Sequence, residues 1–195
     1  SSDLADILRR ELSEVLQGRR IGEAHTRLVI PAWDPDHRSV YLYKTPHHKR
    51  IKTDYKKPAL DAAMGTAAAP SYFERYKASD QTGLLDGGVW ANNPIAVAVV
   101  EAITLLDWPA SRLHILSLVC GEDVYMLDER PGFLNLGLDA LQLYADGQSR
   151  GALGMAKLLT GHGHERKAIH RYSPSVPQGF FSLDDTSKIS RLQGM

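Results

Sequence analysis

Leu84-Leu85-Asp86-Gly87-Gly88-Val89-Trp90-Ala91-Asn92-Asn93-Pro94 sets a carboxylate on a glycine turn between a short apolar strand and the start of a helix. A carboxylate held there can take a proton from a hydroxyl or a water, which makes Asp86 a candidate general base. Gly87 and Gly88 leave it uncrowded and can adopt backbone angles that other residues resist. Asn93 has the side chain of an N-cap and Pro94 the fixed φ of a first helical residue, so the turn feeds directly into a helix. A plain turn has the same composition, and the triplet by itself does not separate the two readings.

Three other groups of residues could do chemistry. Gly147-Gln148-Ser149-Arg150-Gly151 matches the Gly-x-Ser-x-Gly of a serine nucleophile elbow. An elbow needs a strand before its serine, whereas Leu138 to Ala145 reads as helix, and Ser149 follows the acid it would have to precede. An ordinary helical serine is the better reading. His162, His164, Glu165 and His170 are zinc-ligand types, but Gly161 and Gly163 interrupt them and no single face collects them. That segment reads as a mobile polar loop, and neither a metal nor another cofactor is expected.

The run from Lys44 to Lys57 carries six Lys or Arg, two His and one Asp. Lys49 and Arg50 within it are candidates for an anion site that would take a lipid head group, an anionic membrane surface or a nucleotide. The alternative is a solvated loop following a hairpin.

These residues need a scaffold, and the pattern supplies one. Ser1 to Gly22 has the spacing of an amphipathic helix. Thr26 to Ala32 and Ser39 to Lys44 read as two strands of a hairpin turning through Asp34-Pro35-Asp36. Lys57 to Ala69 starts as a helix, and Ile95 to Leu106 is an apolar helix whose only strongly polar residues are Glu101 and Thr104. Leu113 to Val119 reads as a fully buried strand, so Leu84 to Val119 has the strand-helix-strand order of a parallel sheet. Leu134 to Leu159 reads as one or two helices, interrupted near Gly147, with Leu136, Leu138, Leu141, Leu143, Met155, Leu158 and Leu159 available for a buried face. Ile169 to Tyr172 reads as a last strand, and Asp184 to Met195 begins like a capped helix.

The chain's 195 residues are 43% hydrophobic and 24% charged, enough for one domain with a real core. A formal net charge of zero gives no global field toward a nucleic-acid polymer. Cys120 is the only cysteine, which excludes an internal disulfide and fits a buried strand thiol in a reducing cytoplasm. The apolar helix at Ile95 to Leu106 is too short to cross a bilayer.

Ala62-Ala63-Met64-Gly65-Thr66-Ala67-Ala68-Ala69-Pro70-Ser71-Tyr72-Phe73 followed by Leu84 to Pro94 resembles the patatin-like phospholipase family, two motifs in the family's order. The strand Thr26 to Asp34, the Lys44-Thr45-Pro46-His47-His48 segment, Ile115 to Leu118 and Ser182 to Lys188 extend the likeness over most of the chain, as the C-terminal two-thirds of such a domain. The resemblance implies a single domain over 1–195 with a three-layer α/β fold, a mainly parallel central sheet and helices on both faces. It implies a Ser-Asp dyad without histidine, with Asp86 as the base, Gly87, Gly88, Asn93 and Pro94 as its motif, and no cofactor. Asp86 would deprotonate the serine, whose alkoxide attacks an acyl ester of a membrane phospholipid at the inner face of a membrane. The family's glycine-rich oxyanion segment and nucleophile elbow find no match in this chain, so the resemblance makes it a piece shortened at its N-terminus and at its C-terminus. Val119-Cys120-Gly121 departs from the Gly-Thr-Gly turn that relatives often carry. The Lys44 and Asn93 details also resemble bacterial effectors switched on by cyclic nucleotides, with a homo-oligomer compatible with either. The competing expectation is a non-catalytic binding domain of the same fold.

Overall fold

A computed structural model describes residues 2–70, 72–119, 122–123, 137–173 and 175–176 of the chain. The amphipathic pattern at the N-terminus forms α1 (Ser2–Leu16), whose Leu8 and Leu12 pack on Met64, Ala68, Tyr76 and Ala78. The hairpin forms as β1 (Val29–Asp34) and β2 (Ser39–Lys44), paired antiparallel from Val29 opposite Lys44 to Asp34 opposite Ser39. The first strand starts three residues later than its β-branched content suggests. Asp34 closes the turn: its Oδ1 accepts from the N–H groups of Asp36 and His37 at 3.0 and 3.1 Å, and its Oδ2 lies 2.7 Å from His37 Nδ1.

Next come α2 (Ala59–Thr66), β3 (Tyr76–Lys77), β4 (Gly83–Asp86), the single-turn α3 (Gly88–Ala91) and α4 (Ile95–Thr104). They are followed by β5 (Ile115–Leu118), β6 (Glu122–Asp123), α5 (Gly137–Thr160), β7 (Ile169–Tyr172) and β8 (Ser175–Val176). The chain is thus a mixed α/β structure.

Its main sheet corrects the expectation of a mainly parallel centre. The four strands run in the order β2-β1-β4-β3, and every pairing among them is antiparallel. The reason is that both edges of β4 are already taken: Asp86 and Leu85 face Ala32 and Trp33 of β1, and Leu84 and Gly83 face Tyr76 and Lys77 of β3. No edge of β4 remains for β5, so the strand-helix-strand order does not become a parallel pair. Parallel pairing occurs instead between β5 and β7 and between β6 and β8. Nor is β5 buried on both faces: Ser117 points inward, while Leu116 and Leu118 are 63% and 73% exposed.

Two further apolar clusters hold the layers. Ala62 of α2 packs with Ala32, Tyr43 and Leu84 of the sheet and with Ile21. On the other side Ile95, Val99 and Ala102 of α4 meet Ala152 and Ala156 of α5, Leu113, Ala168 and Ile169. The helix α5 runs through Gly147 without a break. Its buried stripe is Ala152, Ala156 and Thr160, whereas Leu158 is 85% exposed and Leu143, Met155 and Leu159 are exposed as well. Alanines take the inner face, with Leu153 partly buried beside them. Leu136, Leu138, Leu141, Cys120 and the stretch from Asp184 to Met195 lie outside the residues whose structure or side chains are described.

One buried charge crosses between the layers. Glu101 of α4, 7% exposed, accepts from Lys44 Nζ at 2.8 Å with one oxygen and from His47 Nε2 at 2.9 Å with the other. His47 Nδ1 lies 2.9 Å from Thr45 Oγ1, which accepts from the N–H of Leu28 at 2.9 Å. The end of β2, the segment after it and α4 are therefore tied through one carboxylate.

Glu101→Ala should cost about 3–5 kcal/mol in urea unfolding, because it leaves the Lys44 ammonium and the enclosed His47 without their counter-charge. A second prediction concerns pH. The hydrogen bond and charge of Asp34 raise the His37 pKa above its ordinary 6.5, so the pair's contribution is present below pH 6.5 as long as Asp34 stays ionised and is lost as pH rises through the folded His37 value. Titrating the His37 ring by NMR should give a midpoint above 6.5, and Asp34→Asn should bring it down.

Candidate functional site

Asp86 is the last residue of β4, and three neighbours determine where its carboxylate sits. Its backbone N–H donates to the Ala68 carbonyl at 2.9 Å, beyond the end of α2. Across the sheet it faces Ala32 of β1. The N–H of Gly88 then donates to Asp86 Oδ1 at 2.5 Å, folding the α3 turn back over the carboxylate. The half-buried position pushes the Asp86 pKa upward, and the Gly88 N–H opposes that shift without cancelling it. Among the described residues no hydroxyl, imidazole or cation is hydrogen-bonded to it.

Space requires glycine at 87 and leaves little of it at 88. A Cβ on Gly87 would stand 2.3 Å from the Pro31 carbonyl oxygen and 2.7 Å from its carbon, so only glycine lets the chain leave β4 against β1. A Cβ on Gly88 would lie 3.0 Å from Asp86 Oδ1 itself. Beyond them α3 closes with Ala91 N–H donating to Gly87 O at 2.8 Å, and Trp90 Nε1 pins it by donating to Ala32 O at 2.9 Å.

The helix α4 begins one residue later than the types of Asn93 and Pro94 suggest, at Ile95 with Pro94 in the N-cap position. Asn93 Oδ1, from the residue before it, accepts from the Ile95 N–H at 3.2 Å, while Pro94 O accepts from Ala98 N–H at 3.0 Å. Asn93 is also buried against α5: its N–H donates to Gln148 Oε1 at 2.9 Å, and its Nδ2 lies 3.3 Å from Ser149 Oγ and 3.4 Å from Ser149 O. The Gly-x-Ser-x-Gly stretch therefore sits inside a helix, with no strand before Ser149, and holds the loop that follows Asp86. A pattern match found these residues, but only the fold shows that Gln148 is the one making the strongest contact.

The basic run divides in two. Lys44 is committed to Glu101, and Lys57 pairs with Asp80 at 2.9 Å, hydrogen-bonds the Tyr41 hydroxyl and lies over the Tyr41 and Tyr43 rings. The Lys57 hydrogen bond holds the Asp80 carboxyl down to about 2. Lys49 and Arg50 are exposed, and among the described residues neither has an acidic partner. Lys49 lines a shallow groove with Pro46, His47, His48, Ile51, Lys52 and Tyr55. No carboxylate lines it, so the groove is suited to an anion. Glu101, which underpins this segment, is legible in the sequence only as the lone charge in an apolar helix.

The histidine-rich segment is structural. His162 Nδ1 accepts from the Ile169 N–H at 3.0 Å, and Arg166 bonds the carbonyls of Thr160 and Leu113, so the loop is tied down where the glycines suggest mobility. His164, Glu165 and His170 are exposed, and among the described residues no three metal-ligating side chains converge. A cavity of about 180 Å³ lies between α1, α2 and β3, lined by Leu8, Met64, Ala68, Phe73 and Tyr76 among others. Asp86 is not in its wall.

The family model for patatin-like phospholipase matches residues 3–99, from α1 through Asp86 into α4. A cGAMP-activated phospholipase of Pseudomonas aeruginosa is 31% identical over 159 residues, covering 75% of this chain and 47% of the relative. A cGAMP-activated phospholipase of Escherichia coli is 33% identical over 122 residues, 61% of this chain and 32% of the relative. Patatin-like protein 4 of Arabidopsis thaliana is 28% identical over 99 residues, 48% of this chain and 24% of that protein. The matches span less than half the length of each of these relatives. With the glycine-bounded aspartate, the start of α4 and the motif of α2 inside the matched region, the chain belongs to the patatin-like phospholipase family.

Proposed function

We propose that the intact protein is a lipid acyl hydrolase that cleaves acyl esters of membrane phospholipids, with Asp86 as the base of a Ser-Asp dyad. The observation that carries this reading is the state of the Asp86 carboxylate. One oxygen is fixed by the Gly88 N–H, and the other accepts no hydrogen bond from a described residue. Half-burial and partial desolvation raise the basicity of a group whose ordinary pKa, about 3.9, makes it a weak base toward a hydroxyl.

The free oxygen takes the proton of a serine, which the family's order places N-terminal to these residues. The alkoxide attacks the ester carbonyl, the alcohol departs with the proton held by Asp86, and an acyl-enzyme remains. Water, deprotonated by Asp86 in turn, releases the fatty acid. The sequence motif, the named activity of the relatives and this geometry support the reading together.

A second element is regulatory. Relatives are named as cGAMP-activated, and the groove beside Lys49 and Arg50 offers unpaired cations with no opposing carboxylate. We assign it to a phosphate-bearing ligand, a cyclic-nucleotide activator in the first instance and a lipid head group in the second, in a protein acting peripherally at the cytoplasmic face of a membrane. Among the described residues no helix is long and apolar enough to cross one.

In the intact protein, Asp86→Asn should lower ester hydrolysis by about 10³-fold or more, as loss of an essential proton acceptor does. Because burial raises the pKa of Asp86, its neutral form is favoured in the fold, and the ionised form costs stability at neutral pH. The variant should therefore unfold at the same temperature as the parent or higher, as read by circular dichroism, and retained hydrolysis would remove Asp86 from the mechanism. The rate should also fall on acidification with a midpoint above about 3.9, the ordinary aspartate value. Reversing both Lys49 and Arg50 to glutamate separates the two ligands: loss confined to the nucleotide-stimulated rate marks an activator site, and loss on anionic vesicles without nucleotide marks a head-group site.

A further inference from the structure

The geometry points to Gln148 as a positioning residue for Asp86, acting through a side-chain clamp on Asn93 that holds the α3 turn and its Gly88 N–H. This rests on the reading of Asp86 as the base. The clamp is two-sided: Gln148 Oε1 accepts from the Asn93 N–H at 2.9 Å, and Gln148 Nε2 donates to the Asn93 carbonyl at 3.5 Å. Asn93 returns contacts from its Nδ2 to the Ser149 carbonyl and hydroxyl. A glutamine amide laid along a backbone amide in this way replaces the partner strand that a loop residue lacks, and it satisfies polar groups that the burial of Asn93 would otherwise strand.

From Asn93 the connection to the carboxylate is short. Only Val89 to Asn92 separate it from Gly88, and Gly88–Ala91 form α3, a closed turn with the Trp90 and Ala91 N–H groups both directed at Gly87 O. A closed turn moves as a body. One end of it is pinned to β1 by Trp90 Nε1 on Ala32 O, 2.9 Å, and the other to α5 by Gln148. Two pins restrict the turn's rotation more than one does. The first amide of that body, Gly88 N–H, is the donor on Asp86 Oδ1, and Asn92 Oδ1 stands 3.5 Å from where a Gly88 Cβ would be, so the turn has little slack beside the carboxylate. Releasing the Gln148 pin loosens Gly88, which weakens the one hydrogen bond that steadies the ionised carboxylate among the described residues.

The test uses the intact protein. Gln148→Met keeps the side-chain length and removes both hydrogen bonds. Small displacements of a catalytic group are costly, so kcat should fall about tenfold with KM changed less than about twofold. With the Gly88 donor loosened, the acid limb of the kcat profile should move up by roughly half a pH unit. Hydrogen exchange at the Gly88 amide should quicken. Gln148→Glu keeps the acceptor for the Asn93 N–H and should recover most of the lost rate. Gln148→Asn, which retains the amide and cannot reach, covers the case of a methionine variant that does not fold, with the same direction in kcat, pH limb and exchange. Unchanged Gly88 exchange overturns the clamp whatever the activity shows. Wild-type kcat and acid limb in a variant whose Gly88 exchange has quickened overturn the positioning role alone, provided Asp86→Asn is inactive. A fully active Asp86→Asn overturns the base assignment and the positioning role with it, and is recognised apart because it does not involve Gln148.

Discussion

Backbone against backbone at Gly87 is the constraint on which this arrangement depends. The chain leaves β4 so close to β1 that the Pro31 carbonyl occupies the place of a side chain, and a Cβ would stand 2.3 Å from its oxygen. Close approach there lets Asp86 complete the pairing with Ala32 and still turn at once, so that Gly88 N–H falls on Oδ1. A bulkier residue would have to push β1 away, and β1 is paired along its length to β2 and packed through Ala32 onto α2. The position of the proposed base thus follows from packing two backbones, before any charge is considered.

Charge then ties the outer elements to that centre. Glu101 is enclosed, and a lone carboxylate there would be expensive; its two oxygens are shared between Lys44 and His47, one from the end of β2 and one from the segment behind it. His47 also lines the groove beside Lys49. Part of the basic run is therefore mortar and part is surface, a division that charge counting does not reveal. Asp61 plays a comparable part on the opposite side, accepting from the Tyr76 hydroxyl at 2.7 Å and from the Ser79 N–H at 3.0 Å, and so fixing the chain between α2 and β3.

On the other side of the Asp86 loop, α5 does two jobs with one stretch of residues. Ala152 and Ala156 bring it close to α4, and that closeness puts Gln148 and Ser149 against Asn93. The resemblance of Gly147 to Gly151 to a nucleophile elbow is an accident of composition in a helix. Its glutamine matters more than its serine.

Much was legible in the residues themselves. The first helix, the hairpin of β1 and β2, the acidic glycine turn and the Asn-Pro start of α4 follow from short-range rules, which residues cap, which bend and which alternate, and the family was legible as a resemblance of two motifs. Such rules act within a few positions of the chain, and a linear pattern records them. Strand partners are chosen otherwise. Whether β4 pairs with β5 or is enclosed by β1 and β3, whether leucines or alanines of α5 face inward, which lysines are consumed by Glu101 and Asp80, and which helix grips Asn93 depend on residues some tens of positions apart competing for the same space and hydrogen bonds. The sequence alone determined which residue could act as the base and the turn that carries it. Only the tertiary structure decided what surrounds that carboxylate, because burial, desolvation and the aim of a single N–H exist only after distant segments have packed.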